Sequence, residues 1–138
     1  MPATCTFRWT PAYSVSIEVF DQQHQQLFAT VNELDQALQQ GRGNSALGPI
    51  FDKLREYSGA HFAAEESLMA KHDYPGLSTH RAQHEMFRQK LAGFLEDYKA
   101  GKPGVPVSLL LFMQNWLKEH VLKTDKQYSG FLTARGER

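Results

Sequence analysis

Residues 47–72 read LGPIFDKLREYSGAHFAAEESLMAKH, and the spacing within this stretch decides the fold. Leu47, Phe51, Leu54, Ser58, His61, Glu65, Leu68 and His72 recur at alternating intervals of four and three. That alternation draws one stripe along an α-helix and is the seam of left-handed helix packing at small crossing angles. The stripe begins as ordinary aliphatic core and ends in imidazole and carboxylate. An ionised carboxylate removed from water is costly unless other groups compensate it, so Glu65 calls for partners from other helices.

The same rule holds on either side. Upstream, Phe20, His24, Leu27, Val31, Leu34 and Leu38 alternate by four and three; downstream, Leu77, His80, His84, Phe87, Leu91, Phe94 and Tyr98 do so. A fourth stripe runs through Leu109, Met113, Trp116 and His120, broadened by Leu110 and Leu117. Gly41-Arg42-Gly43-Asn44, Asp73-Tyr74-Pro75-Gly76 and Gly101-Lys102-Pro103-Gly104 separate the four segments with residues that cannot continue a helix or that tolerate positive φ. Pro49 and Pro106 are read as helix starts. The expected fold is all-α: an antiparallel up-down-up-down four-helix bundle with an N-terminal extended arm. Residues 1–138 are expected to form a single domain, with the arm at 1–18 and the bundle at about 19–132. Phe7, Trp9, Tyr13, Val15 and Ile17 of the arm are available to pack on the outside of the bundle.

Composition agrees with one soluble globular unit. The chain has 138 residues, 41% apolar and 22% charged, too few for two cores of normal size. Fifteen basic side chains cancel fifteen acidic ones, which argues against a nucleic-acid partner. Cys5 is the lone cysteine, so no internal disulfide framework exists and a reducing, cytoplasmic setting is expected. The densest apolar run, Val105 to Met113, is too short to span a bilayer, and no secretory leader is visible. The expectation is a monomer that is not inserted in a membrane.

Topology places the polar seam residues together. In an up-down-up-down bundle, the start of the first helix, the end of the second, the start of the third and the end of the fourth share one end. His24, His61, Glu65, His80, His84, His120 and Asp125 occupy those places. His61/Glu65 and His80/His84 are i, i+4 pairs, each pointing to one side one turn apart. Five imidazoles and two carboxylates are too many donors for one tetrahedral zinc and suit two metals that share bridging carboxylates; iron accepts such a mixed set. The interval from His120 to Asp125 is awkward, because five residues turn about 140° beyond a full turn on an ideal helix. Either Asp125 reaches across between helices or the fourth helix is locally widened by a π-type turn.

The runs Asp21-Gln22-Gln23-His24, His61-Phe62-Ala63-Ala64-Glu65-Glu66, His80-Arg81-Ala82-Gln83-His84 and Trp116 to Asp125 resemble the hemerythrins, and more narrowly the single-domain bacteriohemerythrins. The resemblance implies a non-haem di-iron centre: two iron ions (Fe2+/Fe3+) joined by a bridging oxo or hydroxo group. His80, His84 and His120 would hold one iron, His24 and His61 the other, and Glu65 and Asp125 would bridge them. Leu27, Phe62, Trp116 and Leu117 match positions that line the family's oxygen pocket. The implied function is reversible dioxygen binding, for storage or delivery to an oxygen-consuming enzyme, rather than catalysis. The alternatives are an oxygen or redox sensor and a di-iron oxidase or peroxidase.

Other polar residues are read more plainly. His72 is a helix-C-terminal histidine favoured by the macrodipole. Glu66 points about 100° from its ligand neighbour and is expected to be exposed. Asp21 serves either as a partner for an imidazole N–H or as a helix first-turn acid. Cys5 is given no role.

Overall fold

Glycines and prolines at the turns mark most of the helix boundaries. In the computed structural model, which describes residues 9–138, the helices are α1 (Glu18–Gln39), α2 (Gly43–Lys71), α3 (Leu77–Lys99), α4 (Val105–Trp116) and α5 (Asp125–Thr133). A π-helical segment, Leu117–Thr124, joins α4 to α5, and the backbone stays right-handed helical across both joints. These last three pieces form one continuous fourth rod. At the first turn Gly41 takes φ +71°, which lets the Arg42 N–H reach back to the Ala37 carbonyl at 2.7 Å. Gly101 does the same at the third turn, where the Lys102 N–H donates to Asp97 O at 3.0 Å. Connections this short leave consecutive helices antiparallel. α1 packs on α2 and α4, and α3 on α2 and α4, closing the up-down-up-down ring.

Pro106 begins α4 as expected, whereas Pro49 does not begin α2. α2 starts six residues earlier at Gly43, and Pro49 lies inside it. The proline leaves the carbonyl of Ser45 without its helical donor, but Ser45 is exposed and water can serve there. Gly43 is buried tightly against the fourth rod: a Cβ there would stand 2.9 Å from Leu38 and 3.0 Å from Pro106. That close approach favours an early helix start.

Two apolar clusters fill the bundle. The larger includes Leu34, Leu47, Ile50, Phe51, Leu54, Leu91, Leu109 and Met113. The smaller, at the other end, is Val15, Ile17, Phe20, Met69, Tyr128 and Leu132. Here the arm departs from its expected outside position, since Val15 and Ile17 are 0% and 2% exposed. Burying two such side chains is worth about 1.5–3 kcal/mol each, and here they join Phe20, Met69, Tyr128 and Leu132. The arm is pinned by the Ser129 hydroxyl, which donates to Val15 O at 2.7 Å. Asp21 also holds it, accepting from Ser14 Oγ at 2.6 Å and from the Val15 N–H at 2.8 Å. Asp21 is therefore a first-turn acid that serves the arm. Pro11–Tyr13 is a short 3₁₀ turn, and Trp9 and Tyr13 pack peripherally on the larger cluster. Cys5 and Phe7 lie outside the described residues. No helix among those described is long and apolar enough to cross a membrane.

Candidate metal centre

Between the two apolar clusters lies a layer of polar side chains. His24, His61, Glu65, His80, His84, His120 and Asp125 are each at most 3% exposed. α1 supplies His24, α2 His61 and Glu65, α3 His80 and His84, the π-helical segment His120, and α5 Asp125. All seven sequence-derived residues therefore meet, and they do so as two overlapping groups. Glu65, His80, His84 and His120 bring donor atoms within 4.8 Å of one another; so do His24, His61, Glu65 and Asp125.

The carboxylates divide their oxygens between the two histidine sets. Glu65 Oε1 lies 3.1 Å from His84 Nε2 and 3.5 Å from His80 Nε2. Its Oε2 lies 3.2 Å from His61 Nε2 and 3.9 Å from His24 Nε2. Asp125 Oδ1 approaches His80 and His120 at 3.1 and 3.0 Å, and its Oδ2 approaches His24 at 3.1 Å. Yet all five Nε2 atoms, Glu65 Oε1 and both Asp125 oxygens are buried without a hydrogen-bond partner among the described residues. Buried polar atoms are rarely left so, and eight converging on one volume fit cations held between them.

For three of the five rings, the inward orientation of Nε2 is settled on the ring's other side. His84 Nδ1 donates to Glu66 Oε2 at 2.7 Å, His120 Nδ1 to Gln83 Oε1 at 2.7 Å, and His61 Nδ1 to Gln23 Oε1. Such bonds fix the tautomer and leave the Nε2 lone pair free for a metal. Glu66 is therefore not the exposed residue expected, but a half-buried partner that also meets Arg81 at 3.4 Å. The reason is geometric: a direction 100° from the core points at a flanking helix in a four-helix ring. The three partners follow one rule that the spacing did not reveal. Each is adjacent in sequence to a residue of the buried polar layer on its own helix and serves an imidazole on another.

The structure also resolves the awkward interval in the fourth rod. The Asp125 N–H donates to the His120 carbonyl, five residues back, and Thr124 Oγ1 donates to Glu119 O at 3.1 Å. With i→i+5 bonding, residues five apart come nearly into line, so His120 and Asp125 face one volume. Tyr128, one turn beyond Asp125, donates its buried hydroxyl to Glu65 Oε2. Its i, i+3 relation to Asp125 was the signal that could have found it.

Without a metal, protons must balance the carboxylates. Burial would raise the Glu65 carboxyl, but His61, His80 and His84 outweigh it and hold it well below the usual range. Burial and the Glu65 charge would raise Asp125, and His120 and His24 likewise hold it low. Burial pulls His80 down, but the Asp125 and Glu65 carboxylates beside its Nε2 push it up to about 9. A metal ion would displace that proton.

Leu27, Phe62, Trp116 and Leu117 are buried on the side of this layer that faces the larger cluster. Phe62 stacks on His84 with centroids 3.8 Å apart, and Trp116 on His120 at 3.9 Å. His72 stands apart from the layer, capping α2 and paired with Glu137 at 2.7 Å.

Comparisons with known proteins agree with this geometry. The family described as "Hemerythrin HHE cation binding domain" matches residues 15–132. A bacteriohemerythrin of Methylococcus capsulatus is 32% identical over 127 residues, covering 91% of this chain and 96% of the relative. One from Stenotrophomonas maltophilia is 31% identical over 121 residues, covering 88% and 78%. Among solved structures, wild-type hemerythrin superposes with a TM-score of 0.82 at 31% identity, covering 93% of this chain and 98% of the other. A leucine-to-tyrosine variant of hemerythrin gives a TM-score of 0.84 at 29% identity, with 94% and 99% covered.

Proposed function

The chain belongs to the hemerythrin family, and from that premise we propose that it binds dioxygen reversibly at a di-iron centre, as an oxygen store or as a carrier to an oxygen-consuming enzyme. The observation that carries this reading is the split of each buried carboxylate between two histidine sets whose Nε2 atoms have no other partner. In this reading His80, His84 and His120 hold one iron, and His24 and His61 hold the other. Glu65 and Asp125, whose oxygens are divided between the two histidine sets, would serve both irons. When bound, the irons supply the electrons that dioxygen takes up and gives back.

This chain's own side chains supply the rest. The donor count is unequal, three imidazoles against two, so the His24/His61 side keeps more room for an incoming ligand. Two divalent ions facing only two carboxylates and a hydroxide leave the site with excess positive charge, which disfavours deeper oxidation. Leu27, Phe62, Trp116 and Leu117 keep water and its protons away, so bound oxygen is released rather than reduced further. Gln23, Gln83 and Glu66 hold three of the rings in place. The Tyr128 hydroxyl donates to the Glu65 oxygen that faces His24 and His61.

An anaerobic-to-aerobic optical titration of protein assayed for iron tests the reading. The expected result is two irons per chain and a visible charge-transfer band that disappears when oxygen is removed. Irons that oxidise without a reversible band would overturn the carrier function, and absence of iron would overturn the centre itself.

A further inference from the structure

His72 has no part in the metal layer, yet it is paired across the fold. Its Nε2 donates to Glu137 Oε2 at 2.7 Å, and Lys71 Nζ reaches the same oxygen at 3.5 Å. Hydrogen bonding from His72 holds the Glu137 carboxyl below its usual range, so the clasp contains an ionised carboxylate. Gly136, at φ +91°, turns the chain back after α5, and the Glu137 N–H donates to Leu132 O at 3.2 Å. The clasp therefore ties the end of α2, the helix that carries Glu65, to the tail of α5, the helix that carries Asp125 and Tyr128.

What this clasp holds shut follows from the burial of the donors. All seven are at most 3% exposed, so a hydrated cation meets them only when an element of the bundle moves. α1, α2 and α3 run for 22, 29 and 23 residues, and their inner faces continue into the larger apolar cluster. Displacing any of them opens that core. α5 has nine residues and buries only Asp125, Tyr128 and Leu132. None of its side chains belongs to the larger cluster. Beyond its buried residues, α5 is held by the Ser129 hydroxyl on Val15 O, by the edge of Phe131 against Tyr74 at 5.1 Å, and by the clasp. It also follows the π-helical segment, a local widening of the rod, and joints between elements are where a swing is absorbed.

We propose that residues 125–138 are a hinged door through which iron enters and leaves the centre, swinging on the π-helical segment and latched by Glu137 on His72. The proposal rests on the di-iron reading above for its cargo, a hydrated ferrous ion. Opening carries Asp125 toward solvent and takes the Tyr128 hydroxyl off Glu65, so an incoming cation meets a free carboxylate before it meets the imidazoles. Closing returns Asp125 to both histidine sets and re-forms the clasp at the surface.

The test compares iron-loaded parent protein with Glu137→Ala, His72→Ala and the double variant. Removal of ferrous iron by saturating chelator should be about fivefold or more faster in each single variant, as expected for one lost charged hydrogen bond. The double variant should be no faster than Glu137→Ala alone, because the two residues form one pair. Lys53→Ala, which breaks the 2.7 Å Lys53–Glu33 pair between α1 and α2, should leave the rate unchanged. Hydrogen exchange supplies the second measurement: in Glu137→Ala it should quicken over residues 125–138 and stay at parental rates across α1 and α3. Parental rates of iron release in Glu137→Ala overturn the proposal. So does a double variant faster than either single one, or exchange that quickens across all the helices, which marks a general loss of stability. If wild-type protein takes up no iron, the di-iron reading fails first and the door falls with it; if wild type binds iron and the variants release it at the parental rate, only the door fails.

Discussion

Toward the turn between α1 and α2, the seams of the bundle carry Leu34, Leu47, Phe51, Leu54 and Leu109; toward the other end, in the same phase of the same rods, they carry His24, His61, Glu65 and His120. The first region is held by burial, which has no direction, so an aliphatic side chain of suitable volume in the right stripe is enough. The second is held by lone pairs, which point. Its side chains need partners behind them, and it is here that the fourth rod widens to π geometry. One repeat therefore encodes two kinds of packing, and the directional kind recruits residues outside the repeat.

Five experiments break or sharpen that contrast. The largest effect is expected from Glu65→Ala, which removes an oxygen from both histidine sets at once. Metal analysis should then find neither iron retained, whereas retention of both would dissolve the shared-carboxylate geometry. Next, Leu54→Ala at the apolar end should destabilise the metal-free protein by about 2–5 kcal/mol in denaturant melts and leave iron content at two per chain. Loss of iron in that variant would show that the two ends are not separable.

The third experiment is a pH series on the metal-free protein. The folded pKa of His80, about 9, lies above its ordinary value of 6.5, so the stabilisation is fully present below 6.5 and lost as pH rises through 9. The melting temperature should fall across that window. It should not do so in the metal-loaded protein, where His80 is held neutral; equal slopes would refute this assignment. Fourth, Glu66→Gln replaces the one charged partner of a metal-facing ring. Competition with a chelator should show iron held about 10–100-fold less tightly, with unfolding of the metal-free form little changed. The smallest effect is expected from deleting exposed Lys123. His120 and the aspartate would then be four apart, on one face of an ordinary α-helix. Iron content should remain at two per chain, and its loss would show that the π geometry does more than keep register.

The four rods and the convergence of the seven buried polar residues were legible because both depend on short-range order along the chain. Alternation by four and three names a helix face without knowledge of its neighbours, and counting up and down places His24, His61, His80 and His120 at one end. Glu66 was misjudged for the complementary reason. A residue 100° off the seam is exposed on an isolated helix and faces a neighbour in a bundle. The arm was misplaced because the alternating Tyr13, Val15 and Ile17 show a buried face but not which surface covers it. Pro49 was taken as a boundary because the tight contact of Gly43 with Pro106 lies far away in sequence.

By itself, then, the sequence determined the helix count, the antiparallel order and which seven polar seam residues share one depth, since each is a periodicity or a spacing within one segment. Only the tertiary structure decided which residues stand behind His61, His84 and His120, that the fourth rod widens to align Asp125 with His120, and that the arm packs against Tyr128. Those features are contacts between segments, and their energies depend on angles and distances that exist only once the four helices have closed around one another.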